Sequence, residues 1–301
     1  MTSLMKIAVG IATVGRPDIL AETLWRLGGQ IRRPDAVFVC PASPADFYAE
    51  KTQGVPYELR QVAGRRGLCA QRNAILEAAR GFDVIAFFDD DFFASRDFLK
   101  ELERLFAEEP DVVAASGRVL ADGVLGPGLA VGAAQAILVD HETRARVRDR
   151  VDQYAAYGCN MSFRLKPIHE RGLRFDEDLP LYGWLEDIDF CRRVAQCGRI
   201  VKNHAMTGVH LGHKGGRSKG VPLGYSQIAN PIYMCRKGTY RVDHALRMMS
   251  KNFAANCGKL FWPEPWVDRK GRLKGNLLAL ADLLRGRLDP RKVVQLTVKA
   301  R

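Results

Sequence analysis

Val84-Ile85-Ala86-Phe87-Phe88-Asp89-Asp90-Asp91 is an apolar run that ends in three adjacent acids. Such a run predicts a strand buried on both faces, as in the interior of a parallel sheet. Open α/β sheets bind ligands beyond the carboxyl ends of their strands. Three carboxylates placed there repel one another unless a positive group joins them. A hard divalent cation suits that position, and Mg²⁺ or Mn²⁺ usually brings phosphate oxygens with it. The bland alternative is a loop that happens to be acidic.

Upstream, Lys6 to Thr13 predicts a buried strand, followed by a helix opened at Arg16-Pro17-Asp18. Leu20, Thr23, Leu24 and Leu27 recur at helical spacing, and Gly28-Gly29 ends them. Ala36 to Cys40 predicts a second strand, and Gly67 to Arg80 an Ala-rich helix closed by Gly81. Downstream, Ser95 is expected to cap a helix carrying Phe98, Leu99, Leu102, Leu105 and Phe106, with Pro110 as its end. Val112 to Ser116 predicts a further strand, Gly123 to Gly132 a loop, and Gln135 to Val139 another strand. Leu185 to Gln196 predicts a helix stopped by Gly198. The glycine-rich basic stretch after Met206 reads as a mobile loop. Asn230-Pro231 is expected to open a helix to about Ser250, and Leu277 to Leu284 to form a short amphipathic helix. This alternation argues an α/β fold with a mainly parallel sheet and helices on both faces.

The chain has 301 residues, 47% hydrophobic and 27% charged, enough for one large α/β domain with an appendage. No apolar run approaches the roughly 18 residues that cross a bilayer. The start, Met1-Thr2-Ser3-Leu4-Met5-Lys6, lacks a basic n-region, so no signal peptide is expected. Seven scattered cysteines without a Cys-x-x-Cys suggest reduced thiols in a cytoplasmic protein. Of the net charge of +12, Arg236 to Arg301 carries +11, from 16 Lys/Arg against 5 Asp/Glu. Such a tail suggests an anionic partner.

The motifs occur in a recognisable order: Arg16-Pro17, Gly67 to Asn73, Asp89 to Asp91, Gly158 to Arg164, Phe175 to Glu177, Glu186 to Asp189, and Val209 to Gly212. Over about residues 5 to 213 this order resembles the inverting family 2 glycosyltransferases, of the bacterial polysaccharide type. The resemblance implies the GT-A fold, a Rossmann-like mixed, mainly parallel sheet flanked by helices. It implies a catalytic domain over 1–215, with a nucleotide half to about 116 and an acceptor half over 117–215. A basic, mainly helical extension would fill 216–301. The implied reaction moves a sugar from a nucleoside-diphosphate sugar to a hydroxyl of a glycan or lipid-linked acceptor, with Mn²⁺ or Mg²⁺ neutralising the leaving diphosphate. Asp91 would hold the metal, helped by His210 or its neighbour His213. Asp89 would face the ribose or a metal-bound water. Asp90, pointing the other way along an extended segment, would be structural or assist the donor. Thr13, Arg16, Arg72, Lys214 and Arg217 would bind the donor, with Arg65 and Arg66 as further cations. Asn160 and Trp184 would meet the acceptor. Asp187 would be the general base, with Glu186 its close rival.

One departure stands out. The family commonly has an acid after its second strand that pairs with uracil, but here the place reads Val39-Cys40-Pro41-Ala42-Ser43. The donor base is therefore left open. Rival readings are a GT-A-like nucleotidyltransferase, whose phosphate loop is too short here, and an Asp-dependent phosphotransferase, whose acids would end the first strand. A basic membrane- or nucleic-acid-binding module is the third, but no aromatic residues interleave with the basic tail in a stacking pattern, so nucleic acid is not expected. The tail is expected instead to hold the protein peripherally on an anionic cytoplasmic membrane face. The expected contacts are Leu277 to Leu284 with Arg285, Arg287, Arg291 and Lys292.

Overall fold

The structure, a computed structural model, describes residues 5–144, 147–215 and 220–298. The chain divides into two compact units. The first comprises Met1–Arg66, Gln71–Arg174 and Arg193–Gly216, and the second Gly67–Ala70, Phe175–Arg192 and Arg217–Arg301. Residues 175–192, assigned by the sequence reading to a 1–215 domain, thus cluster with the C-terminal helices.

The nine strands among the described residues lie in the first unit: β1 (Ile7–Thr13), β2 (Ala36–Pro41), β3 (Glu58–Gln61), β4 (Val84–Phe87), β5 (Phe92–Ala94), β6 (Val112–Asp122), β7 (Arg150–Asp152), β8 (Met161–Arg164) and β9 (Arg199–His210). Their order is β3-β2-β1-β4-β8-β6-β9-β5, with β7 also paired to β9. The longer pairings, among β3, β2, β1 and β4 and between β6 and β9, are parallel. The short strands β5, β7 and β8 pair antiparallel. The result is the expected mixed α/β sheet. Helices α1 (Pro17–Leu27), α2 (Leu68–Ala78), α3 (Phe98–Glu108), α4 (Val131–Glu142) and α5 (Leu165–Glu170) accompany it. Ile7, Val9 and Ile11 alternate on one face of β1 and share a core with Leu20, Leu24 and Leu27 of α1 and Phe98, Leu102 and Phe106 of α3. Period-two strands and period-3.6 helices thereby bury one continuous apolar layer.

Several elements differ from expectation. Residues 135–139 belong to α4, not to a strand. β6 runs on past Ser116 to Asp122 through two further register shifts against β9, at Gly117/Arg118 and Val119/Ala121. The stretch from Thr207 to His210, read as loop, completes β9. Ser95 does not cap α3: Asp97 holds the N-cap position and Ser95 Oγ donates to its Oδ1 at 2.9 Å.

The second unit contains α6 (Glu186–Val194) in its leading residues, and α7 (Gly220–Lys237), α8 (Val242–Gly258), α9 (Arg269–Leu284) and α10 (Lys292–Val298). Helix α7 runs through Pro231, which was expected to start it. Gly220 and Gly224 on α7 and Gly271 and Gly275 on α9 form two four-residue glycine spacings, letting the helix backbones meet closely. A Cβ on Gly224 would stand 2.0 Å from the Arg272 carbonyl oxygen, and one on Gly275 2.2 Å from that of Val221. Asn256 Nδ2 then donates to Gln227 Oε1 and Asn276 Oδ1, at 3.0 and 2.9 Å, and so joins α8 to α7 and α9. Gly275→Val should therefore force the two backbones apart and cost about 3 kcal/mol or more, since overpacking against backbone has no soft neighbour to yield. Urea unfolding followed by circular dichroism would measure it, and an unchanged midpoint would refute the close-packing account.

The run expected to face lipid is divided: Leu277 and Leu284 are exposed, and the residues between them are buried or half-buried. Leu278, Ala279 and Leu280 of α9 share a core with Tyr225 and Ile228 of α7. Arg291 pairs with Asp289 at 2.8 Å, and Lys292 is bonded to Asp282.

Candidate active site

The site in the first unit grows from the carboxyl ends of β1, β4, β6 and β9. β9 lies between β6 and β5. Its last residue, His210, is in register with Asp122 of β6 on one side and Phe92 of β5 on the other. Since β5 follows directly on Asp91, this register carries the acidic run to His210.

Asp89, Asp91 and His210 each offer one ligand atom, all within 4.8 Å of one another. His210 Nε2 stands 3.3 Å from Asp91 Oδ1 and 3.6 Å from Asp89 Oδ2, while Nδ1 contacts Asp122 Oδ1 at 3.1 Å. Asp91 Oδ2 accepts from the backbone N–H of His213 at 2.7 Å and faces Arg16 Nη1 at 3.0 Å. The turn that delivers the His213 N–H needs Gly212, at φ +63°, where a Cβ would collide with the Gly123 backbone at 2.2 Å.

Arg16 also pairs with Asp90 at 2.8 Å, and Thr13 Oγ1 donates to Asp90 Oδ2 at 2.7 Å. Asp90 is fully buried, so these contacts tie β1 and the start of α1 to the acidic run. Arg72, also buried, lies 3.4 Å from Asp89 Oδ1 and donates to the Gly158 carbonyl at 3.2 Å.

Electrostatics follow the geometry. Burial pushes the Asp90 carboxyl up, to about 7, against the opposing charge of Arg16. Burial would also raise Asp91, but His210, Arg16 and the His213 N–H outweigh it and hold its carboxyl far below the usual range. Burial would lower His210, yet its contacts with Asp122 and Asp91 raise it to about 10. The cluster thus draws positive charge strongly. Asp91 Oδ1, wholly enclosed, makes no satisfactory hydrogen bond. Two carboxylates and an imidazole around such an orphaned oxygen fit a divalent cation of the Mn²⁺ or Mg²⁺ kind.

The remaining expected residues are placed as follows. Lys214 Nζ donates to the carbonyls of Gly123 and Val124, joining the chain after β9 to the turn after β6. The His213 ring turns to the Gly215 N–H and is not among the clustered ligands. Arg65 and Arg66 are exposed, and Arg217 lies outside the described residues. Asn160 is corrected: it is fully buried, its Oδ1 accepts from Gly117 N at 3.1 Å, and it offers no surface to an acceptor. An acid does follow β2 at Asp46, three residues beyond the expected place, but it accepts from Gly15 N at 2.6 Å and Ser43 Oγ at 2.8 Å.

The second unit carries the Trp184-Leu185-Glu186-Asp187 segment. Leu185 within it and Leu181 just before it are the only non-glycine residues at positive φ among those described, +73° and +60°. Strain of this kind persists where surrounding structure imposes it, often at functional sites. Trp184 stacks with Tyr182 at 6.3 Å, and its carbonyl accepts from Asn230 Nδ2. Asp189 is fully buried and accepts from Thr239 Oγ1 at 2.6 Å and Lys237 Nζ at 2.9 Å, so it braces α6 against the end of α7.

Sequence reasoning missed Asp122 and Tyr157. Tyr157 OH donates to Asp122 Oδ2 at 2.8 Å, and Asp122 meets His210 Nδ1, the nitrogen turned away from the cluster. A carboxylate behind a ligating histidine fixes its tautomer and orientation. Asp122→Asn is accordingly expected to weaken Mn²⁺ affinity by about 10–100-fold. Calorimetric titration with Mn²⁺ would read it, and unchanged affinity would remove Asp122 from that role.

The family model described as Glycosyl transferase family 2 matches residues 8–171. No curated protein matches the chain. Among solved structures, S. aureus TarS is similar at 16% identity and TM-score 0.54, over 85% of this chain and 44% of TarS. The chain thus spans less than half the length of that protein. Mannosyltransferase PcManGT from Pyrobaculum calidifontis, in complex with GDP-Man and Mn²⁺, is 16% identical with TM-score 0.55, over 99% of this chain and 81% of its own. GalNAc-T7 with UDP, GalNAc and Mn²⁺ is 13% identical with TM-score 0.55, over 96% and 59%. These likenesses show a shared GT-A fold.

Proposed function

The chain belongs to glycosyl transferase family 2, and from that premise we propose that it transfers a sugar from a nucleoside-diphosphate sugar to a hydroxyl of a glycan or lipid-linked acceptor, inverting the anomeric carbon. Glycosyl transfer follows from the family; the donor, acceptor, stereochemistry, role in polysaccharide synthesis and cytoplasmic setting are our reading. The observation that carries it is the gathering of Asp89, Asp91 and His210 at the carboxyl edge of the sheet. These residues would hold Mn²⁺ or Mg²⁺, which when bound neutralises the diphosphate charge that grows as the donor bond breaks. Arg16 keeps the acidic run in place, and Arg72 lies beside Asp89 to add positive charge. The acceptor oxygen attacks the anomeric carbon, the carbon–phosphate oxygen bond breaks, and the acceptor proton passes to the carboxylate of Asp187. A single displacement from the opposite side inverts that carbon.

A panel of UDP-, GDP- and dTDP-sugars with Mn²⁺ or Mg²⁺ tests the reading by thermal shift and donor hydrolysis. A ligand at a hundred times its dissociation constant contributes about 2.7 kcal/mol of stability, a readily measured rise in Tm. Stabilisation by a nucleoside diphosphate only when a divalent cation is present is the expected result. No response to any nucleotide with either metal would overturn it.

A further inference from the structure

We propose that the connection between α8 and α9, with the first turns of α9, is a docking surface for an anionic lipid bilayer. The connection reads Leu260-Phe261-Trp262-Pro263-Glu264-Pro265-Trp266. Its aromatic side chains face solvent: Phe261 is 78% exposed, Trp262 83% and Trp266 39%. Large aromatic groups standing together in water mark an interaction site, because their burial is what favours association. Two prolines fix φ within the loop and remove two backbone donors, so it presents these rings with little conformational freedom to lose. Beside it lies an open apolar groove of about 380 Å³, lined by Leu260, Leu273, Leu277 and Leu278 and rimmed by Lys270 and Lys274. Leu277 is itself 53% exposed.

Charge complementarity selects the occupant. Each acid in 251–298 already has a partner within the unit. Glu264 is held by Lys259 and Arg269, and Asp268 caps Gly271. Asp282 meets Tyr225 and Lys292, and Asp289 pairs with Arg291. Lys251, Lys270 and Lys274 are exposed and pair with no acid among the described residues. The surface therefore offers aromatic rings and a leucine groove framed by lysines without counter-charge. Tryptophan favours the depth of lipid headgroups, and lysines beside it draw anionic headgroups over about a Debye length. No helix among the described residues is long and apolar enough to cross a membrane, so the attachment is interfacial. This surface shares Leu277 and Leu278 with the α9 run expected from sequence, of which Ala279 and Leu280 face the core with α7. The assignment does not depend on the transferase reading.

Flotation of the full chain with vesicles of phosphatidylcholine, with and without phosphatidylglycerol, tests it. Binding is expected only with phosphatidylglycerol, and it should be released by high salt. Phe261→Ser with Trp262→Ser should lower binding by about tenfold or more, because shallow apolar insertion and charge must act together. The same variant should keep its Tm and its nucleotide response. Lys270→Glu with Lys274→Glu should lose the preference for phosphatidylglycerol. The proposal is overturned by absence of binding at low salt, by equal binding to both vesicles, or by an aromatic variant that floats like the parent. It is equally overturned if light scattering shows the parent to be an oligomer that the aromatic variant dissolves, which would make the patch a contact between copies.

Discussion

Asp91→Asn is expected to abolish the response to Mn²⁺ and lower turnover by about a thousandfold, the scale of losing one preorganised electrostatic contact to a developing charge. Asp91 is where the interactions of the acidic run converge. One oxygen faces His210 Nε2 at 3.3 Å, and the other takes the His213 N–H and Arg16. Asparagine keeps the size but loses the charge that gathers these groups, and its amide nitrogen cannot accept from Arg16 or His213. A folded variant must be shown before its inactivity is read. The control is its Tm without metal, since Thr13, Arg16 and Asp90 still tie β1 and α1 to the run. Mn²⁺ titration by calorimetry then separates loss of metal from loss of chemistry. Full turnover with an unchanged metal response would move the cation elsewhere.

The sequence was most legible where burial is complete. β2 and β4, and β1 up to its closing Thr13, are apolar because both faces are covered, and their ends could be read within a residue. The acidic run was legible because three charges cannot follow such a strand without a reason. Elements facing two environments were harder to read. β3 is Glu58–Gln61, largely exposed at the sheet edge, with no apolar alternation to find. α4 holds only Ala134 and Leu138 as buried positions, so its apolar residues show no helical stripe. β6 hid its second half because its register shifts break the period of two after Ser116. That error also concealed Asp122, whose place opposite His210 depends on the strand continuing. Asn160 looked like a ligand residue in its motif but is a framework residue, because β8 lies in the middle of the sheet.

Asp187→Asn is expected to keep nucleotide and metal binding while lowering transfer by about 10²–10⁴-fold, the usual contribution of a positioned general base. The motif Glu186-Asp187-Ile188-Asp189 supplies three carboxylates on the first turn of one helix, where the helix macrodipole favours negative charge whatever their role. Their surroundings separate them. Asp189 is fully buried and committed to Thr239 and Lys237, so its loss should unfold the unit rather than stop the chemistry alone. Glu186 is also buried, whereas Asp187 is half-buried, accepting from the Ile188 N–H at 2.8 Å. The two leucines at positive φ, Leu181 and Leu185, both lie just before this turn, as expected where the surrounding structure imposes a set direction on a reacting group. Asparagine is nearly isosteric with aspartate and can still accept from that N–H, but it cannot take the acceptor proton. The discriminating measurement is therefore a split: donor binding by calorimetry against transfer to acceptor. Unchanged binding with transfer lost supports Asp187 as the base. Near-normal transfer would hand the role to Glu186, and loss of both together would show that the substitution disturbs the turn and not the proton transfer.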